Sequence, residues 1–150
     1  MKYHILKKET ILNENIEVIF DFFSKAENLN LITPPELGFK IITKLPVVMQ
    51  KGAIIDYKIK LNGFPFKWKT EITKWEPPFY FEDTQISGPY KMWVHEHKFQ
   101  DSAGKTIMLD IVKYLSPGGL LEFIPHNLIV RKKVESIFNY RESIFKELFP

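Results

Sequence analysis

Two histidines separated by a single residue are the side chains of this sequence best suited to chemistry. His95 and His97 flank Glu96 in a stretch that alternates apolar and polar residues, which is the pattern of a β-strand. Alternate residues of a strand point to the same face, so both imidazoles share a face with Trp93 and Phe99. An imidazole can act as a general acid or base, a hydrogen-bond partner or a metal ligand near neutral pH. This strand therefore carries the candidate polar site.

The turn that follows this strand predicts which residues face the histidines. Residues 101–104 read D-S-A-G, and either a two- or a four-residue loop centred there places His95 opposite Asp110 on the next strand. The same register places Trp93 opposite Val112 and His97 opposite Met108.

Three interpretations of the histidine strand are open. Asp110 could orient His95 so that this imidazole works as a general acid or base. The same pair could instead be a buried hydrogen bond with a structural role only, which we favour. With Asp110 or Glu96 as a third ligand, His95 and His97 could also hold a metal ion. That spacing arises in any strand with alternate histidines, so we expect neither a metal nor another cofactor.

Several function classes are excluded by composition. The sequence has no Cys, which removes disulfide scaffolds, thiol nucleophiles and thiolate metal sites. It contains no G-x-S-x-G, P-loop or G-x-G-x-x-G motif. The formal net charge of +3 is too small to indicate nucleic-acid binding, and the one basic cluster, at residues 131–133, is typical of a solvated helix face. No stretch approaches the roughly 18 apolar residues of a membrane span, so we expect no membrane insertion and a cytoplasmic location.

The elements that must position the histidines form one domain over residues 1–150 with an aromatic interior. Phe occurs 13 times and Trp 3 times in 150 residues. A strand is predicted over residues 2–12 and a helix from Asn15, whose residues 16, 19, 20 and 23 fall on one face with Asn13 or Asn15 as the N-cap. A second short helix is predicted over residues 27–32, ending before Pro34.

Residues 38–115 read as a series of antiparallel hairpins. The Asn62-Gly63 pair is typical of a type I′ turn and sets Leu61 opposite Phe64 and Tyr57 opposite Trp68, with apolar residues on one face and charged residues on the other. A turn at Pro77-Pro78 predicts three further facing pairs, and these bring polar side chains to the buried face: Trp75 with Tyr80, Ile72 with Asp83, and Thr70 with Gln85. A bulge is predicted at Ser87-Gly88-Pro89 because proline cannot donate to the strand ladder.

The chain ends in a long helix that needs a sheet to pack against. Pro125 suits its first turn, and a separate helical turn could precede it. Its predicted apolar face comprises Leu128, Val130, Val134, Ile137, Phe138, Tyr140, Ile144, Phe145 and Leu148. Unless the rings of Tyr57, Trp68, Trp93 and Phe138 interlock fully, the space between sheet and helix forms an apolar pocket with a few polar groups.

Five segments of the sequence resemble the START-like superfamily, also called SRPBCC, and within it a bacterial ligand-binding group. They are FDFFSKAENLNLITPPELGF at 20–39, WKTEITKWEPP at 68–78, FEDTQISGPY at 81–90, WVHEHKF at 93–99 and DIVKYLSPGG at 110–119. The resemblance implies an α+β helix-grip fold, in which a curved antiparallel seven-stranded sheet wraps around a long C-terminal helix and two short helices follow the first strand.

The resemblance also implies a function and a set of site residues. Proteins of this superfamily enclose lipids, sterols, polyketides or quinones between sheet and helix, and some are cyclases or hydratases. We therefore expect a protein that binds a small hydrophobic molecule, with a cyclase- or hydratase-like enzyme using His95 and Asp110 as the alternative. The expected ligand-binding residues are Tyr57, Trp68, Thr70, Asp83, Gln85, Trp93, His95, His97, Tyr114 and Phe138.

If the Trp93 face points inward, as the resemblance implies, the opposite face of the sheet carries an apolar patch. Its members are Met92, Val94, Ile107, Leu109 and Ile111. A monomer rarely exposes such a patch, so we predict a partner surface there, with a homodimer as one form of it.

Overall fold

Seven antiparallel strands form one sheet in the order β1-β7-β6-β5-β4-β3-β2. The computed structural model describes residues 3–61, 63–117 and 125–150, without the side chains of residues 127 and 128. The strands are β1 His4–Leu12, β2 Lys40–Ile41, β3 Ile54–Leu61, β4 Phe64–Glu76, β5 Tyr80–Ser87, β6 Tyr90–Ser102 and β7 Lys105–Pro117. The α-helices are α1 Ile16–Phe23 and α2 Arg131–Leu148. Asn62 of the predicted turn, the helical turn before Pro125 and the Leu128 side chain lie outside the described residues.

The β3–β4 hairpin has the predicted register. Leu61 faces Phe64 and Tyr57 faces Trp68, and Gly63 has the positive φ of +81° that this tight turn requires. Ile55, Ile59, Leu61 and Trp68 are buried, while the alternate lysines are exposed. This hairpin therefore presents one aromatic and aliphatic wall to the interior.

Helix α1 begins at the predicted cap. The Asn15 side chain accepts a hydrogen bond from the Val18 backbone N–H at 3.0 Å, and the four apolar residues of the predicted face are all buried. The second predicted helix is a 3₁₀ helix over Ala26–Asn30, and a further 3₁₀ turn follows at Pro35–Leu37. These short elements cover one end of the sheet.

Two hairpin registers differ from the prediction. Trp75 faces Phe81 rather than Tyr80, because the turn holds three residues, and a bulge between Ile72 and Lys74 then restores the predicted pairing of Ile72 with Asp83. The loop between β6 and β7 holds only Ala103 and Gly104. Their φ values of +52° and +84° suit a tight turn.

This two-residue loop is centred one residue later than predicted, which moves every β6–β7 pair by two residues. His95 faces Val112 and His97 faces Asp110, so the predicted pairs His95 with Asp110, Trp93 with Val112 and His97 with Met108 are wrong. Because the shift is an even number, each side chain keeps its predicted face. Trp93, His95, His97 and Phe99 are accordingly buried.

Helix α2 packs its buried residues against the concave face of the sheet. Val134 and Phe138 join the core cluster that contains Trp68 and Trp93, and Phe145 joins the cluster formed around α1. A π-helical turn, His126–Val130, precedes α2. Two members of the predicted apolar face are displaced from the core: Tyr140 is half-buried and Leu148 is 43% exposed.

The outer face of β6 and β7 is partly covered in the single chain. Four of its aliphatic residues are half-buried, and Ile111 is only 8% exposed between Lys7 and Glu96 of the neighbouring strands. Lys113 and Glu96 form an ion pair at 3.8 Å on this face. That the face binds a partner stays a prediction.

Replacing Asn15 by Ala should lower the free energy of unfolding by about 1 kcal/mol, because the Val18 N–H loses its acceptor at the start of α1. For a chain of this size that corresponds to a fall in Tm of about 2–4 °C. Asn13→Ala is the matched control, since exposed Asn13 does not cap the helix. Equal effects of the two substitutions in thermal unfolding would contradict the cap assignment.

Candidate functional site

A cavity of about 150 Å³ lies between the sheet, helix α2 and the 3₁₀ segment that follows α1. Most of its wall is aromatic or aliphatic, and the polar exceptions come from the sheet, from α2 and from residues 25–33 after α1. Of the predicted ligand-binding residues, eight line it: Tyr57, Trp68, Thr70, Asp83, Trp93, His95, His97 and Phe138. The rings of the sheet and helix therefore leave a space at the place that the sequence predicted.

Gln85 lies outside this lining and holds a loop together. Its Nε2 donates to the Tyr90 carbonyl at 2.7 Å, and its Oε1 accepts from the Tyr90 N–H at 3.2 Å. The β5–β6 ladder ends at the pair Thr84 and Val94, so the Gln85 amide replaces the missing ladder bonds near the turn. A Cβ atom at Gly88 would lie 2.5 Å from Gln85 Oε1, which explains the small residue there.

Tyr114 also lies outside the lining. Its ring is buried in the core cluster of Trp93 and Phe138, and its hydroxyl is hydrogen-bonded to His126 Nε2 at 2.9 Å. The His126 ring stacks on His4 with centroids 3.3 Å apart. Tyr114 therefore ties β7 to the turn before α2 and does not face the cavity.

Three neighbouring strands bring two aspartates and two histidines together under α2. Asp83 on β5 faces His95 on β6, and His97 on β6 faces Asp110 on β7. Both histidines and Asp110 are buried, and Asp83 is half-buried. The two imidazoles stack on each other with centroids 3.6 Å apart. We call these four residues the tetrad.

Hydrogen bonds in the tetrad run diagonally between strands. His95 Nε2 lies 2.7 Å from Asp110 Oδ1, and His97 Nε2 lies 2.6 Å from Asp83 Oδ2. The pair of His95 and Asp110 expected from the sequence thus exists, although its backbones are not directly opposite. His97 Nδ1 is buried and has no hydrogen-bond partner in the described part of the chain. Its nearest carboxylate oxygen is Asp110 Oδ1 at 3.7 Å.

Ionised carboxylates are favoured in the tetrad despite burial. Burial by itself raises the pKa of Asp110, but the Arg141 charge and the His95 hydrogen bond outweigh it and lower the pKa to about 2. The pKa of Asp83 is likewise lowered, because the His97 hydrogen bond and nearby positive charge exceed the effect of burial. Burial lowers the pKa of His97 to about 4, against the opposing pull of Asp83. At neutral pH His97 is therefore uncharged between two anions.

Arg141 is a functional candidate that the sequence reasoning missed. It lies on α2 at 7% exposure, lines the cavity, and stands 4.8 Å above the Phe138 ring centre. Its Nε has no hydrogen-bond partner in residues 3–61, 63–117 and 125–150. Helical spacing could have revealed it. Position 141 lies on the same buried face of α2 as positions 134, 138 and 145, where a charged residue is unusual.

Three further polar groups belong to lining residues of the sheet: the Trp68 indole N–H, the Tyr57 phenol and the Thr70 hydroxyl. Trp68 Nε1 is buried and, within the described residues, has no acceptor. Burial raises the pKa of Tyr57 well above its ordinary value, so this phenol stays neutral. The Thr70 hydroxyl donates to the Thr84 carbonyl at 3.1 Å and has its oxygen free to accept. The wall can therefore offer both donors and acceptors to a ligand.

The sheet, the long C-terminal helix and the cavity between them define the helix-grip fold, which confirms the fold expected from the sequence. Solved structures share it over nearly their whole length. The Zhui aromatase/cyclase from Streptomyces sp. R1128 matches with a TM-score of 0.72 and 10% identity, covering 96% of this chain and 92% of that one. Ara h 8.0201 matches with a TM-score of 0.64 and 14% identity, covering 97% of this chain and 99% of that one.

A third structure extends the comparison to a plant protein. The ginseng major latex-like protein 151 from Panax ginseng matches with a TM-score of 0.60 and 12% identity, covering 94% of this chain and 96% of that one. No family model matches the sequence, and no curated relative is detected. These likenesses show the fold and leave the function to be argued from the site. None of the described helices is long and apolar enough to cross a membrane.

Replacing Asp110 by Ala should lower the free energy of unfolding by about 1–3 kcal/mol, because buried His95 Nε2 loses its acceptor. Chemical denaturation measures this change. Asp56→Ala is the control: Asp56 is partly exposed and its nearest cation, Lys69, is 4.0 Å away, so its loss should cost less than about 0.5 kcal/mol. An Asp110→Ala protein as stable as the control would contradict the structural importance of this pair.

Proposed function

We propose that this protein binds and carries a small hydrophobic molecule in the cavity between the sheet and α2. The observation that carries the proposal is the cavity itself, whose wall is mainly rings and aliphatic side chains with polar groups on one part of the wall. Internal packing usually leaves few voids larger than a water molecule, so a space of about 150 Å³ needs an explanation.

Cavity size narrows the class of ligand. An apolar cavity of about 150 Å³, made by deleting side chains in another protein, binds benzene. The space described here thus suits a molecule of one or two rings, or a short chain, better than a sterol. Among the expected classes of lipid, quinone, polyketide and aromatic ligand, the small aromatic and quinone types fit best.

The polar wall supports a ligand that carries an oxygen atom. Trp68 Nε1 and Arg141 Nε are buried donors without partners among the described residues. Leaving a buried donor unpaired costs about 1–3 kcal/mol, and a ligand oxygen would remove that cost. The apolar wall would then supply most of the affinity and the donors the orientation.

Ligand binding is testable through the two tryptophans of the cavity wall, Trp68 and Trp93. Titration with 2-naphthol should quench or shift their fluorescence to a saturable end point. Ala26, which is buried in the lining, is suited to a filling variant: Ala26→Leu should weaken binding at least about tenfold by occupying the space. Circular dichroism checks that the variant folds.

Ala53→Leu is the matched control, because Ala53 is half-buried and lies outside the lining. It should bind 2-naphthol as the parent protein does. Absence of saturable binding by the parent, or equal affinity of both variants, would contradict the proposed function. Native mass spectrometry of gently purified protein tests independently whether a small molecule is retained.

A second candidate function is supported by the position of His95. This residue lines the cavity and donates from Nε2 to Asp110, an arrangement that holds an imidazole in the orientation of a general acid or base. The corresponding enzyme would be cyclase- or hydratase-like and act on an aromatic or polyketide-like substrate. His95→Ala should then abolish turnover of such a substrate while the protein still folds. Unchanged turnover would eliminate this candidate.

A further inference from the structure

Asp83, His95 and His97 present three donor atoms to one point of the cavity wall. One donor atom from each of the three lies within 4.8 Å of the other two. Asp83 Oδ2 is 2.6 Å from His97 Nε2 and 4.0 Å from His95 Nδ1. Donors bound at about 2.0–2.2 Å to a tetrahedral ion stand roughly 3.4 Å apart, so ligation requires the three atoms to adjust their spacing and the two stacked imidazoles to rotate until both lone pairs point at the ion.

The second ring nitrogens explain why these three atoms are available. His95 uses Nε2 for its hydrogen bond to Asp110 Oδ1 at 2.7 Å, which directs Nδ1 toward Asp83. Histidine ligands of metal ions commonly donate their other ring N–H to a carboxylate in this way. Asp110 therefore stands where an outer-shell carboxylate would stand, behind the histidines and outside the cavity lining.

The unpartnered nitrogen of His97 fits the same arrangement. In the present hydrogen bond, the ring proton of neutral His97 lies on Nε2, toward Asp83, and Nδ1 has no partner among the described residues. If Nε2 gave its electron pair to a metal ion, the ring proton would move to Nδ1, which lies 3.7 Å from Asp110 Oδ1. One proton shifts between the two nitrogens and none is lost. Asp110 would then accept from both histidines.

The charges of the wall also suit a cation. Asp83 and Asp110 contribute two negative charges and Arg141 one positive charge to the same buried region, and the first and last of these line the cavity. These three side chains carry a net charge of −1, and a divalent ion would change the net charge of the region to +1. Because Asp83, His95 and His97 all line the cavity, a free coordination position would open toward its interior.

We propose that Asp83, His95 and His97 bind one divalent transition-metal ion, with Asp110 as the residue that orients both imidazoles. Two imidazole nitrogens and one carboxylate oxygen form the donor set typical of Zn²⁺ and Fe²⁺, and not of Ca²⁺ or Mg²⁺, which prefer oxygen ligands. The sequence prediction considered Asp110 or Glu96 as the carboxylate ligand and favoured no metal. The fold instead brings Asp83 to this position.

Metal binding is tested on the untagged full chain after dialysis against a chelator. Titration with Zn²⁺ by calorimetry should give one ion per chain, and Co²⁺ should give visible absorption bands of low coordination number. His97→Gln should abolish stoichiometric binding. Asp110→Asn should weaken binding about 10–100-fold, because a neutral amide oxygen is a weaker acceptor than a carboxylate for the two ring N–H groups and removes the negative charge behind them.

His4→Gln is the matched control. His4 and His126 form the other close histidine pair of the described residues, stacked at 3.3 Å, and are the natural place for adventitious metal. Binding should persist in His4→Gln with unchanged stoichiometry. Binding that is lost in this control and retained in His97→Gln would overturn the proposal.

A measurement on the unsubstituted protein covers the case in which a variant fails to fold. Imidazole ¹H–¹⁵N spectra with saturating Zn²⁺ should show metal on His95 Nδ1 and His97 Nε2, and protons on the two nitrogens that face Asp110. Absence of stoichiometric binding by the parent chain, or ligation through other nitrogens, would refute the site. Binding of 2-naphthol is measured separately on the metal-free protein. The proposed ligand binding and the proposed metal site can therefore fail independently of each other.

Discussion

Two carboxylates, Asp110 fully buried and Asp83 half-buried, impose the strongest constraint on this structure. Asp83 and Asp110 lie beneath a helix, in a region where an unpaired charge would cost several kcal/mol. Each is hydrogen-bonded by one imidazole of β6, and Arg141 on α2 brings a compensating positive charge. Strands β5, β6 and β7 must therefore keep their registers, because a slip of one residue would turn these charges toward solvent and bring others inward.

The aromatic residues are arranged around this polar layer. His95 meets Phe138 edge-on with centroids 5.3 Å apart, and His97 stacks on Phe81 at 3.9 Å. One aromatic cluster contains Trp68 and Trp93, and the other contains the rings packed around Phe20. Because the tetrad separates the two clusters, the interior cannot close into a single apolar core, and the cavity lies where both clusters meet polar groups.

Predictability from sequence differed among elements for physical reasons. The Asn62-Gly63 turn requires one loop length, so the register of β3 and β4 could be predicted pair by pair. The D-S-A-G segment does not fix which two residues form the loop, and a loop one residue later than predicted displaced the β6–β7 pairs by two residues while every side chain kept its face. The predicted contact between His95 and Asp110 is still formed after this shift, because the two side chains meet diagonally across the strands. Gln85 and Tyr114 were expected in the cavity, and their contacts hold the framework instead.

The site residues on strands were predictable, because side-chain alternation decides which face of the sheet they occupy. The site residue on α2 was not. Asp83, His95 and His97 follow from strand periodicity, whereas Arg141 did not, because a charged helix residue is ordinarily assigned to the solvent face. Low identities of 10–14% to the compared structures mean that the fold carries no residue roles with it. Function must therefore follow from the residues of the cavity wall.

The placement of β1 beside β7 has a consequence for the order in which the chain acquires its structure. His4 pairs with Tyr114 and Leu12 with Thr106, so β1 finds its partner only after the other six strands of this sheet have been made. Contacts so distant along the chain form slowly, because a long loop must close first. The β3–β4 and β6–β7 hairpins can form locally, and β1 then docks last on β7. Until it does, Leu12 and the edge of β7 remain in water, and unpaired strand edges of this kind favour aggregation of a partly folded chain.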